Sequence, residues 1–241
     1  MVAAALEGVE DRMERHFHHE LEALRDQLSE MAGRAETALV KSIEALKTRN
    51  PRLAEEVRTE DMAIDQIELQ VESRSLDFLG LQQPVARDLR FLVAAIRISN
   101  DLERIGDHAV NIAQSALRLS TLPEPKPLED IPMMAELTIT MLRDAVTAWL
   151  NGDAATARRI CERDVEIDGL KAKIFAKLSG GMIQTPESVP RGLELLLVSR
   201  NLERVADLAT NIAEEAIFVA EARVIKHHAE DATTSTRPAS R

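Results

Sequence analysis

The chain has no tyrosine, one tryptophan and five phenylalanines, so aromatic residues make up only 2% of it. Strands favour aromatic and β-branched residues, and this chain draws its 45% hydrophobic content largely from alanine and leucine, which are strong helix formers. Glycine is also scarce, at nine residues. Cys161 is the only cysteine, which excludes an intrachain disulfide and gives no sign of an oxidising compartment. Positive charge is in deficit: 30 basic residues face 41 acidic ones, for a net charge of −11. A protein that grips phosphate backbones without regard to sequence needs the opposite field, so that class is excluded. No long apolar run is present. FLVAAI from Phe91 is far too short to span a bilayer, and MVAAALEGVEDRMERHF lacks the basic start and long apolar stretch of a signal peptide. A cytoplasmic protein is expected.

Proline is present where it matters. Thr121 to Pro132, TLPEPKPLEDIP, holds four of the nine prolines, enough to stop helices and divide the chain in two. Each half is punctuated alike, at Asn50-Pro51 and Gln83-Pro84, then at Asn151-Gly152-Asp153 and Thr185-Pro186. Between these breaks apolar residues recur every three or four positions, as in Leu92, Ile96, Gly106, Val110, Ala113 and Leu117. Sustained period-two alternation is absent. The expected fold class is all-α: two tandem antiparallel three-helix bundles, with helices near 10–48, 51–79, 84–120, 131–150, 153–179 and 187–224. The expected domains are residues 10–120 and 131–224, joined by a proline-rich linker at 121–132 and followed by a disordered polar tail at 225–241.

The halves are an internal repeat. At an offset of 100, Ile98–Ala113 and Val198–Ala213 share nine identities in sixteen positions, too many for unrelated helices. The shared residues include Glu103 and Glu203, Asp107 and Asp207, and Asn111 and Asn211. On a helical wheel, residues four apart lie about 40° apart, which puts each Glu–Asp pair at the edge of the apolar stripe. The second helix of each half carries a matching pair: Asp61 and Asp65 in EDMAID, then Asp164 and Asp168 in RDVEID. If helices two and three of each half pack together, each half gathers four carboxylates. Partly buried carboxylates repel or take up protons, and a bound cation removes the conflict. Hard oxygen donors suit magnesium, calcium, manganese or oxidised iron. Asn100, Asn111 and Asn211 are candidates to support such a site. The competing reading is structural: Arg104 can reach Asp107, and Arg204 can reach Asp207, as surface ion pairs.

Other residues carry less. His16, His18 and His19 cluster as surface histidines, His227 and His228 fall in the tail, Cys161 reads as a small core filler and Trp149 as packing. Arg87, Asp88 and Arg90 in QPVARDLR make a charged patch where helix three begins, either a solvated helix start or a partner contact.

RISNDLERIGDHAVNIA from Arg97 and VSRNLERVADLATNIAEEA from Val198, with QPVARDLR, NPRLAEEV and EDMAID, resemble the PhoU family of phosphate-specific transport regulators. The resemblance runs from about residue 10 to 225. It implies tandem three-helix bundles and no enzymatic turnover. It also implies multinuclear metal clusters, often iron or zinc, on the paired acids: Asp61, Asp65, Glu103 and Asp107, then Asp164, Asp168, Glu203 and Asp207. The implied role is negative regulation of the phosphate starvation response, by a frequently homodimeric adaptor. Its implied partners are the ATPase subunit of a phosphate ABC transporter and a membrane sensor histidine kinase. Two other function classes stand beside it, a metal-free helical scaffold and a di-metal carboxylate oxidase. The second usually draws on Glu-x-x-His pairs, and no histidine here has glutamate three residues before it. The second half departs from the first: Pro190 falls where helix six begins and is expected to perturb its first turn, Leu208 replaces His108, and Ala206 replaces Gly106.

Overall fold

The computed structural model describes residues 2–82, 84–123 and 129–224, with side chains from residue 19 onward except that of Gln82. The expected tail, with His227 and His228, lies outside these residues, as do residues 124–128 of the linker and the side chains of His16 and His18. The described residues are almost entirely helical and contain no strand. Among the described residues seven α-helices follow one another: α1 Val2–Thr48, α2 Pro51–Gln82, α3 Ala86–Ser120, α4 Asp130–Asn151, α5 Ala154–Glu162, α6 Asp164–Gln184 and α7 Val189–Glu221.

Helix α3 keeps the helical period but turns its buried face away from part of the expected run: Ile96, Val110 and Leu117 are only partly buried. Leu92, Ile98, Leu102, Ile105, Ala109 and Ile112 recur at helical spacing and are fully buried. Each large aliphatic side chain removed from water contributes roughly 1.5–3 kcal/mol. α3 packs on α1 and α2, α7 packs on α4, α5 and α6, and the two central helices pack on each other. Their direction is antiparallel: Arg97, His108 and Arg118 of α3 pair in turn with Glu215, Asn201 and Glu194 of α7. Ion pairs of 2.9 Å (Arg97–Glu215) and 2.6 Å (Arg118–Glu194) thus close the two ends of this contact. Phe91 of α3 stacks on Trp149 of α4 at 5.5 Å between ring centroids, so Trp149 is a packing residue that ties the halves together. Cys161 packs partly buried against the core, and burial pushes its thiol up to about 11.

Two expectations need correction. The fifth helix, expected unbroken over 153–179, is divided at Arg163. There the backbone has φ −78 and ψ −10 and shifts to the tighter three-residue pattern, Arg163 N to Ile160 O and Glu166 N to Arg163 O, both 3.0 Å. No proline or glycine marks the spot. Tertiary packing decides it, because the bend lets both α5 and α6 lie on α7. Pro190 does not spoil the helix that contains it. It stands within the first two positions of α7, where no intrahelical N–H bond is needed, behind a 3₁₀ turn at Pro186–Ser188.

The turn between α4 and α5 is built from the sequence Asn-Gly-Asp. Gly152 takes the left-handed conformation at φ +66 that ends α4, and Asp153 accepts from the Thr156 N–H at 3.0 Å to start α5. At the α1–α2 turn Arg49 also has positive φ (53°), and its guanidinium donates to the carbonyls of Leu119 (2.8 Å), Ser120 (3.0 Å) and Leu122 at the end of α3. A fixed positive charge therefore satisfies orphan carbonyls at the negative end of a central helix.

Candidate functional site

Asp61 and Asp65 stand on α2, and Glu103 and Asp107 on the α3 segment packed against it. Asp61 and Glu103 are half-buried, while Asp65 and Asp107 are exposed, as their position at the edge of the apolar stripe requires. Gly106 makes the approach possible. A Cβ at that position would stand 2.8 Å from Asp61 Oδ1 and 3.1 Å from Ile64 Cδ1, so only glycine lets α2 set its aspartate against the α3 backbone. Asp61 Oδ1 is buried with no hydrogen-bond partner.

The electrostatics of this cluster are frustrated. Burial, reinforced by Asp65 and Asp107, pushes the Asp61 carboxyl up to about 6. Glu103 is raised for the same reason, burial first and then the charges of Asp107, Asp65, Glu68 and Asp61. Glu68, one turn further along α2, is raised by burial and by Glu72 and Asp65. Among the described residues no ion pair reaches Asp61, Asp65, Glu103 or Asp107. Arg104, expected within reach of Asp107, turns to Asp101 instead, at 3.7 Å.

The second set has the same acids and a different balance. Lys171 of α6 stands seven residues after Asp164, at the place where Glu68 stands seven residues after Asp61. Its Nζ lies 2.9 Å from Oε1 of the buried Glu203. Arg204 reaches Asp207 at 3.0 Å and Glu203 at 3.6 Å. Asp207 is raised by burial, Glu203 and Asp164, with Arg204 pulling the other way. The equivalent of Asp101 is Asn201, which offers Arg204 no carboxylate, so the arginine turns to Asp207 as the structural reading expects. Asp164 is the first residue of α6, beside the break, and Asp168 is exposed one turn further on. Ala206 replaces Gly106, which removes the slot that admits Asp61 in the first half.

Among the described residues no three His, Cys, Asp or Glu side chains converge closely enough to ligate a single ion. The first set still fits a cation by its chemistry: hard oxygen donors, a buried orphan oxygen and uncompensated negative charge. The second set also has a buried orphan oxygen, Glu203 Oε2, but it differs in that Lys171 and Arg204 already bring positive charge to Glu203 and Asp207.

The remaining candidates spread out. Asn100 and Asn211 are exposed. Asn111, one turn after Asp107, lines a cleft between α3 and α7 together with Arg104 and His108. Arg87 and Asp88 lie in the first turn of α3, where Asp88 complements the positive helix end, and Arg90 follows just after it. Lys171 and Glu68 were missed in reading the acidic motif, although the repeat itself carries the signal once its register is extended by seven residues. The contact of Arg49 with α3 has no sequence signal, since it joins residues some seventy positions apart.

Comparison with known proteins places the chain. The PhoU domain family model matches it twice, at residues 28–116 and 131–216. A phosphate-specific transport system accessory protein PhoU homolog of Aquifex aeolicus is 37% identical over 208 residues, covering 86% of this chain and 94% of the relative. One of the same description from Zymomonas mobilis is 35% identical, covering 85% and 86%. The crystal structure of PhoU from Pseudomonas aeruginosa superposes with a TM-score of 0.83 at 30% identity, covering 86% of this chain and all of that one. The phosphate transport system regulatory protein PhoU from Streptococcus pneumoniae gives 0.81 at 28%, covering 88% of this chain and all of that one. These relatives are named as accessory and regulatory proteins, not enzymes. The chain belongs to the PhoU family, as an accessory and regulatory protein of phosphate transport.

Proposed function

We propose that the protein is a cytoplasmic adaptor that holds down phosphate uptake and the phosphate starvation response when phosphate is plentiful. The observation that carries this reading is the match of both halves to the PhoU domain, alongside relatives named as accessory proteins of phosphate-specific transport. Its partners on this reading are the ATPase subunit of the phosphate ABC transporter and a membrane sensor histidine kinase, with Arg87, Asp88 and Arg90 as a candidate contact and a homodimer as the working form. No helix among the described residues is long and apolar enough to cross a membrane, so on this reading membrane association runs through those partners.

The same proposal gives the first bundle a resident cation, held by Asp61, Asp65, Glu103 and Asp107, with iron, zinc, manganese or magnesium as candidates. Such an ion would neutralise the carboxylates and fix α2 against α3, presenting a rigid outer surface. The second set, Asp164, Asp168, Glu203 and Asp207, supports a metal-free reading better, since Lys171 and Arg204 pair with its acids. Deleting the gene and following a phosphate-starvation reporter in high phosphate tests the regulatory role. Derepression is expected, and a reporter that stays tightly repressed refutes the role.

A further inference from the structure

The antiparallel packing of α3 on α7 does something that neither repeat does alone. It brings both copies of the arginine in the repeated Leu-Glu-Arg motif, Arg104 and Arg204, into one cleft of about 430 Å³. Arg118 and Arg200 line the same cleft, and among the described residues no carboxylate does. The lining is cationic in a chain of net charge −11, although three of its four arginines are paired with acids behind it. The acids that touch these arginines, Asp101, Glu194, Glu203 and Asp207, hold them from outside the lining. Arg200 has no ion pair among the described residues. Neutral hydrogen-bonding groups complete the wall. His108 Nδ1 meets Asn201 Oδ1 at 2.9 Å across the two helices, and Asn111 and Ser115 stand on the same face of α3.

We infer that this cleft binds a phosphoryl oxyanion. Guanidinium groups match tetrahedral oxyanions through paired N–H donors, and several of them around one cleft outbid water where a single one does not. The volume exceeds what one phosphate ion fills, so a chain of linked phosphoryl groups fits the chemistry as well as the free ion does. The arginines are half-exposed, at 52% for Arg104 and 50% for both Arg118 and Arg204, so binding will be screened by salt. The repeat also gives the site a direction. Position 100 is asparagine where 200 is arginine, and position 208 is leucine where 108 is histidine, so the cleft is not symmetric despite its origin. This inference is independent of the cation in the first bundle.

Calorimetric titration of the full chain with inorganic phosphate, tripolyphosphate and ATP, at low and at raised ionic strength, tests it. Saturable binding of at least one of them near one equivalent is expected, weakened as salt rises. Which probe binds distinguishes the free ion from a phosphoanhydride. Arg200→Gln should weaken that binding about tenfold, and Arg104→Gln with Arg204→Gln should weaken it further. Arg52→Gln, a change of similar charge at the exposed start of α2 outside the lining, should leave it unchanged, and Glu103→Gln with Asp107→Asn should not weaken it. Circular dichroism of each variant confirms the fold. Absence of saturable binding by all three anions overturns the inference. So does binding that survives in folded Arg104→Gln/Arg204→Gln protein, or that is lost with the acids of the first bundle.

Discussion

Asp61 offers a test in which function and stability pull apart. In the metal-free protein its carboxyl is raised from 3.8 to about 6, by burial and by the charges of Asp65 and Asp107. Across that window the folded state holds a proton that the unfolded state has given up. Stability contributed by this group is therefore full below about 4, falls as pH rises towards 6, and is lost above it. A shift of this size corresponds to roughly 3 kcal/mol at 1.36 kcal/mol per unit. Asp61 is only half-buried, so solvent screening reduces this to about 1–1.5 kcal/mol. Asp61→Asn removes the charge and keeps the shape. In protein dialysed against chelator, urea denaturation followed by circular dichroism should find the variant more stable than the parent by about 1–1.5 kcal/mol at neutral pH. The difference should vanish as pH falls to about 4. On the proposed cation reading the order should reverse when metal is added, since Asp61 would then be one of its ligands. A variant that is less stable than the metal-free parent at neutral pH, or a difference that does not change across this window, refutes the reasoning.

Three other outcomes follow from single features. Gly106→Ala adds a methyl 2.8 Å from Asp61 Oδ1, but the obstacle is a side-chain end that can turn away, and alanine favours helix by about 1 kcal/mol. Thermal denaturation should show net stability changed by less than about 1 kcal/mol, and on the proposed cation reading metal content should fall because Asp61 is displaced. Arg49→Ala strips three charge-assisted hydrogen bonds from the carbonyl end of α3 and should cost about 2–3 kcal/mol in urea denaturation, with lysine recovering only part. Asp130 is buried between Lys173 and Lys177, whose hydrogen bonds hold its carboxyl below the usual range. Replacing both lysines by methionine should lower stability at neutral pH, and the two proteins should converge as pH falls through that lowered value, because protonation then ends the interaction in the parent.

How far the sequence could be read depended on the range of the forces involved. The helices of the first half follow from local periodicity, although α3 buries Leu92, Gly106 and Ala113 of the run read from the sequence and leaves Ile96, Val110 and Leu117 only partly buried. The turn at Gly152-Asp153 was legible because left-handed backbone and an N-cap each demand particular residues. The break at Arg163 was not, since its residues are ordinary helix formers and only the fit of α5 and α6 against α7 bends the chain. The acidic rows were legible as rows. Their inequality turned on residues outside the motif: Gly106 against Ala206, Glu68 against Lys171, and Asp101 against Asn201. Each is visible in the repeat, but its meaning depends on which side chains meet across helices. Arg104 shows this best, because its choice of Asp101 over Asp107 reflects rotamer and neighbours, not spacing.

The central claim is that duplication left one acidic set open to a cation and closed the other with its own lysine and arginine. The direct measurement is elemental analysis of tag-free protein purified without chelator, for the parent, for Glu103→Gln with Asp107→Asn, and for Glu203→Gln with Asp207→Asn. Metal lost from the first variant and retained by the second is the predicted result. Equal loss from both, or no loss from the first, contradicts it.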